Sequence, residues 1–229
     1  MDVSGKRIFV FGGSTTFGMS VSDKETIPAY LETEFRNAGR NDVTVYNFGI
    51  IGYYSSQERV LFERLINLNH VPYAVVCIDG LNDFSFCKIP NATGMSTQKE
   101  RILSGQSGVT LAQTYARRSS IMKLINYYKK KTEVALDRPS EFCTGEKEQT
   151  QGIIQRLDSN CRMVAAVARA YGTVPVFVYQ PVSSYAYDNS RRVFPVRDSK
   201  STPWMQTKRG YEIFREMRTK GEAFNENVL

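Results

Sequence analysis

Three short apolar runs, each closed by small or amide residues, constrain this chain more than any other feature. Arg7-Ile8-Phe9-Val10-Phe11 leads into Gly12-Gly13-Ser14-Thr15, and Val43-Thr44-Val45-Tyr46 leads into Asn47-Phe48-Gly49-Ile50-Ile51-Gly52. Ala74-Val75-Val76-Cys77-Ile78 leads into Gly80-Leu81-Asn82-Asp83. Short apolar runs bounded by turn signals read as buried strands. The stretches between them carry apolar residues at helical spacing, and strands alternating with helices argue a parallel sheet covered by helices on both faces. A small-residue turn that lifts a serine off the end of a buried strand is a common way to display a nucleophilic hydroxyl.

The intervening periodicities set further expectations. Ile27, Leu31, Phe35 and Ala38, stopped by Gly39, predict a helix over about 25–38. Ser55-Ser56-Gln57-Glu58 has a capping-box pattern, and the stripe Leu61, Leu65, Leu68 extends it into a helix over about 56–68. The polar, interrupted stretch 87–108 reads as a long excursion at the carboxyl end of a strand, of the kind that shapes substrate access. Residues 111–131 read as helical, with Ile121, Leu124, Ile125 and Tyr128 on one face, and 137–148 as a surface loop. A long helix over about 149–171 and a fourth strand over 174–179 follow, Pro175 being tolerable near that strand's start. Tyr211, Phe214 and Met217 mark a short helix, and Asn227-Val228-Leu229 reads as the first step of another strand.

At 229 residues with 41% hydrophobic content, the chain is long enough to bury the core of one α/β domain, expected over 1–229 with an excursion at about 85–150. The net charge of +7 is scattered apart from Lys129-Lys130-Lys131 and Arg191-Arg192, which argues against a nucleic-acid partner. No apolar run approaches the ~18 residues that span a bilayer, and no secretory signal precedes the first strand. Cys77 falls in a buried strand, while Cys87, Cys143 and Cys161 follow no metal or redox spacing. Free thiols and no metal are expected, with a Cys87 to Cys143 bridge as the alternative. A nucleotide-binding loop is disfavoured because Met19 stands where its lysine belongs, and no cofactor is expected.

The serine, glycine and asparagine segments, in that order at the ends of three successive strands, resemble the SGNH hydrolase superfamily, the GDSL-type esterases and lipases, in a Gly-Gly-Ser-Thr variant. The resemblance runs from about Arg7 to the end of the chain and is densest in the first 84 residues. It implies a three-layer α/β/α, flavodoxin-like sandwich. It also implies Ser14 as nucleophile, Gly52 as a backbone oxyanion donor and Asn82 as a side-chain oxyanion donor. The family's C-terminal Asp-x-x-His segment is not found; Asp198-Ser199-Lys200-Ser201 has serine where histidine belongs. The expectation is therefore a sandwich incomplete at its C-terminal strand and helix, with a complete chain that lost the motif as the alternative. Relatives with this turn often carry a membrane-anchoring segment upstream, so a piece trimmed from an anchored or exported protein is one reading, and the localisation stays open.

The implied chemistry is ester hydrolysis through a seryl acyl-enzyme, acting on a small-molecule, carbohydrate or lipid ester, with little turnover where the base is missing. His70 is expected to be structural, because it precedes the third strand and lies at the amino end of the sheet. Two other readings stay open: a non-catalytic acyl- or carbohydrate-binding domain, and an O-acyltransferase using the same residues. Ser14 also suits a helix cap, Gly52 a plain turn residue and Asn82 a loop brace. Phe17, Tyr53, Tyr54 and Phe84 suit either a pocket lining or packing.

Overall fold

β1, Lys6–Gly12, sits inside the sheet, and its residues from Ile8 onward are buried. In the computed structural model, which describes residues 5–85, 146–182, 185, 186, 188, 190 and 202–224, four parallel strands take the order β2-β1-β3-β4. These are β1, β2 (Val43–Gly49), β3 (Ala74–Asp79) and β4 (Val174–Tyr179). Gly12 pairs with Gly49 on one side and with Ile78 on the other, and Asp79 pairs with Tyr179. By contact the chain divides into Met1–Gly94 with Phe142–Leu229 and a second unit, Met95–Glu141. Every described residue belongs to the first.

The helices among the described residues are α1 (Ser14–Phe17), α2 (Ile27–Asn37), α3 (Ser55–Asn67), α4 (Lys147–Ala170) and α5 (Thr202–Thr219). The period-2 geometry of a strand sends alternate side chains to opposite faces. Phe9, Phe11, Val75, Cys77 and Phe177 therefore meet Phe62 and Ile66 of α3, Ile154 and Leu157 of α4, and Phe214 and Met217 of α5. Ile8, Val10, Ala74 and Ile78 face the other way, against Leu31 and Phe35 of α2. Helices thus cover both faces of a parallel sheet, the α/β layering that the alternation predicts. Phe62 is fully buried in edge-on contact with Phe11, and such a side chain contributes about 1.5–3 kcal/mol by burial.

The helix expected over 25–38 begins later, because Thr26 accepts from the Ala29 amide at 3.3 Å and caps the helix, with Pro28 in its first turn. Asp23–Glu25 forms a separate 3-10 turn. The capping box read at Ser55 and Glu58 is not formed. Tyr54 is the N-cap residue, the Ser55 hydroxyl donates to Asp83 at 2.6 Å, and Glu58 is buried. The stripe also shifts: Glu58, Phe62 and Ile66 form the buried face, Leu61 and Leu65 flank it, and Leu68 lies exposed past the helix end. A glutamate occupying a core position disguised the true phase.

α4 begins two residues ahead of the expected 149, and β4 matches its expected span. α5 is 18 residues long, not short, because its largely polar opening turns give no periodic signal ahead of Tyr211. Cys77 and Cys161 are free and buried. The expectations for 87–108, 111–131, 137–145 and 227–229, and those for Cys87, Cys143 and Asp198, lie outside the described residues.

Candidate functional site

The chain runs from β1 outward to β2, then returns across β1 to β3. This reversal creates a topological switch point between the carboxyl ends of β1 and β3, where open α/β sheets place their ligand crevice. Ser14 follows β1 and Asn82 follows β3, so both stand at that point.

Ser14 opens the one-turn helix α1, with Gly13 as the N-cap residue and no side-chain cap. The helix-cap reading of Ser14 therefore fails, since Gly13 holds the N-cap position and Ser14 is already helical. Among the described residues, no hydrogen bond engages that hydroxyl, and Ser14 is half-exposed. The turn is packed tightly from below. A Cβ on Gly12 would meet the buried Thr16 Oγ1 at 2.0 Å, and one on Gly49 would meet the Phe17 amide nitrogen at 2.3 Å. Asn47 donates its side-chain amide to the Thr16 carbonyl at 3.0 Å, and its Oδ1 accepts from the Gly49 amide.

The second loop is tied to the first by the Ile50 amide, which donates to the Gly12 carbonyl at 3.0 Å. Ile50 to Tyr53 then form a β-turn, closed by the Tyr53 amide on the Ile50 carbonyl, with Gly52 at φ 79° in the third position. That positive φ is what a type II turn demands of its third residue. Asn82 joins the third loop to both others. Its Nδ2 donates to the Tyr53 carbonyl at 2.6 Å and lies 2.3 Å from where a Gly13 Cβ would stand. An amide carries two N–H groups, and the second has no partner among the described residues.

Ser14, the Gly52 turn and Asn82 are thus brought together. The aromatic residues divide: Tyr54 and Phe84 are buried packing residues, Tyr53 is half-buried, and Phe17 is exposed. His70 is exposed and precedes β3, at the amino end of the sheet. A strand of about five residues at roughly 3.3 Å each separates it from Ser14 by ~15 Å, far beyond the ~3 Å reach of a general base. It is the chain's one histidine.

Beneath the Gly80–Asn82 loop lies a set of buried carboxyls that sequence reasoning missed. Glu58, Asp79 and Asp83 are 2%, 8% and 0% exposed. Burial, then repulsion from Asp79 and Asp83, pushes Glu58 well above its ordinary value, and burial followed by Asp83 does the same to Asp79. Asp83 is raised by burial but is restrained by the Arg156 guanidinium 3.7 Å away and by the Ser55 hydroxyl. Candidate ligand atoms of Glu58, Cys77 and Asp79 all lie within 4.8 Å of one another. Burial raises Cys77 as well, so all three groups are pushed toward their neutral forms. Asn160 of α4 extends the network by donating to the Ser55 and Ser56 hydroxyls, each at 2.9 Å. No sequence signal marked this set, because Glu58 shows as a core position only once the buried face of α3 is known.

The solved structures similar to this chain include SGNH-type esterases. TesA shares 13% identity, covering 95% of this chain and 76% of that chain, with a TM-score of 0.47. The psychrotrophic esterase EstA from Pseudoalteromonas sp., inhibited by monoethylphosphonate, shares 12% over 98% of this chain and 76% of that chain, with a TM-score of 0.43. AlinE4, an SGNH-hydrolase family esterase, shares 20% over 75% of each chain, with a TM-score of 0.32. No protein-family model matches the sequence, and a search of curated proteins finds no match.

Proposed function

We propose that this chain carries the acyl-accepting site of a serine ester hydrolase of the SGNH type. Ser14 is the nucleophile, and the N–H groups of Ser14 and Gly52 with the Asn82 side chain hold the oxyanion of the tetrahedral intermediate. The observation that carries the reading is the Asn82 amide, wedged between Gly13 and the Tyr53 carbonyl with its second N–H unpartnered among the described residues. Donors preorganised around a developing oxyanion supply a large part of the rate of acyl transfer. The substrate is an ester with a small-molecule, carbohydrate or lipid body.

His70 lies at the wrong end of the sheet to deprotonate Ser14. Loss of the base in a serine hydrolase of this logic costs on the order of 10⁶-fold in turnover. This chain alone therefore hydrolyses esters slowly. That same position of His70 favours a second reading, a binding domain that holds an acyl or acetylated ligand in the pocket without chemistry. Incubation with p-nitrophenyl acetate separates the two when the intact mass is read. The hydrolase reading expects an acetyl adduct on wild type that is absent from Ser14→Ala, with slow release of nitrophenol. Equal modification of both proteins contradicts it, and rapid turnover abolished by Ser14→Ala contradicts the missing base.

A further inference from the structure

Gln180 is the first residue after β4, two strands away from the serine turn, and it is fixed from three directions. Its backbone amide donates to the Asp79 carbonyl at 2.8 Å, its carbonyl accepts from the Tyr211 hydroxyl of α5, and its side-chain Nε2 donates to Thr15 Oγ1 at 3.0 Å. Thr15 is the neighbour of Ser14 on α1. Between β1 and β4 the sheet holds β3, so the Gln180 side chain has to pass the loop that leaves β3. That loop starts at Gly80, whose φ of 123° L side chains rarely adopt. A Cβ there would lie 2.9 Å from the Tyr179 ring and 3.0 Å from the Tyr211 hydroxyl, the same hydroxyl that holds the Gln180 carbonyl.

Asn47 braces α1 from the β2 side through the Thr16 carbonyl. On the β4 side, the Thr15–Gln180 bond is the tie that reaches α1 among the described residues. α1 is a single turn of four residues with no side-chain cap, and so short a helix has little stability of its own. The direction of Ser14 therefore depends on what grips the turn from outside.

We propose that Gln180 is a positioning residue for Ser14, gripping the nucleophile turn through Thr15 and transmitting to it the placement of α5 through Tyr211. The proposal rests on the reading of Ser14 as acyl acceptor for its chemical consequence, but its structural half stands on hydrogen bonds alone. Gln180 does not touch the reacting atoms. It sets the geometry of the residue that does, where small displacements of a reacting group carry large rate penalties.

The test is a double-mutant cycle on Thr15→Val and Gln180→Met, which keep size and remove the bond, with Thr15→Ser as the variant that keeps the hydroxyl. Two quantities are read on the same proteins. One is the rate at which a fluorophosphonate ester modifies Ser14, by peptide mass spectrometry. The other is hydrogen exchange at the Gly18 and Met19 amides, both bonded to the Ser14 carbonyl. Each single variant is expected to slow modification and speed exchange by about 3- to 10-fold, with the double variant no worse than either single one. Thr15→Ser is expected to behave as wild type, with melting temperatures unchanged throughout. Modification and exchange at wild-type rates, or additive effects in the double variant, overturn the proposal while leaving Ser14 as acceptor. If wild type itself is not modified at Ser14, the acceptor reading fails. The exchange arm then decides Gln180 alone: faster exchange in both variants supports the grip, and unchanged exchange overturns it.

Discussion

The side-chain amide of Asn82 stands where the Cβ of any larger residue at position 13 would have to go, 2.3 Å from that point. Gly13→Ala is predicted to push the amide off the Tyr53 carbonyl and away from Ser14. The side chain can swing aside, so the stability loss stays below about 2 kcal/mol, while modification of Ser14 by a fluorophosphonate slows by ~10-fold or more. Gly13→Asp, the change toward the Gly-Asp-Ser pattern, is expected to act in the same direction. Urea denaturation and labelling kinetics on the same variants check both halves.

Gly49→Ala makes the opposite contrast. The atom it would strike is the Phe17 backbone nitrogen, also at 2.3 Å, and backbone has no rotamer to escape into. A loss of about 1–3 kcal/mol in urea denaturation is predicted. A variant as stable as wild type would mean that α1 does not rest on the end of β2.

The buried carboxyls predict a pH dependence of stability with a definite sign. Glu58 and Asp79 have folded-state values raised above their ordinary 4.5 and 3.8, mainly by burial. A raised acid holds its proton more tightly folded than unfolded. Its contribution is therefore complete below about pH 4 and is lost as pH rises from there through the folded-state value, at about 1.4 kcal/mol per pH unit for each proton involved. The urea midpoint is predicted to be higher at pH 5 than at pH 8, and Glu58→Gln to shrink that difference. A midpoint that rises with pH in wild type would contradict it.

Asn160→Ala removes the donor that α4 lends to the Ser55 and Ser56 hydroxyls, together with the acceptor of Arg59. The predicted cost is about 2–3 kcal/mol in urea denaturation, because several buried polar groups lose partners at once. A cost below ~0.5 kcal/mol would show that the α3–α4 polar network contributes nothing to stability.

What was legible in the sequence follows from which interactions are local. β1 and β3 were readable because an apolar run closed by Gly carries its own boundary, and β4 matched despite Pro175, whereas β2 runs through Asn47 to Gly49, three residues past its apolar run. The α3 phase was misread because Leu61, Leu65 and Leu68 outscore a face made of Glu58, Phe62 and Ile66. No periodicity argument places a glutamate in a core, beside two further buried carboxyls, Asp79 and Asp83, that come from a distant part of the chain. Gln180 was equally silent, since its meaning lies in a bond to a residue 165 positions away. The gathering of Ser14, the Gly52 turn and Asn82 was readable, because each follows its strand directly and parallel strands bring their carboxyl ends to one edge.

The central claim is that Ser14 stands in a preorganised acyl-accepting site. It is tested most directly by fluorophosphonate labelling of the folded chain with every modified serine mapped, beside Asn82→Ala. The account predicts slow but selective modification of Ser14, at least ~10²-fold faster than any other serine of the chain, with most of that preference lost in Asn82→Ala. Modification spread evenly over surface serines, or a Ser14 preference that survives Asn82→Ala unchanged, would contradict it.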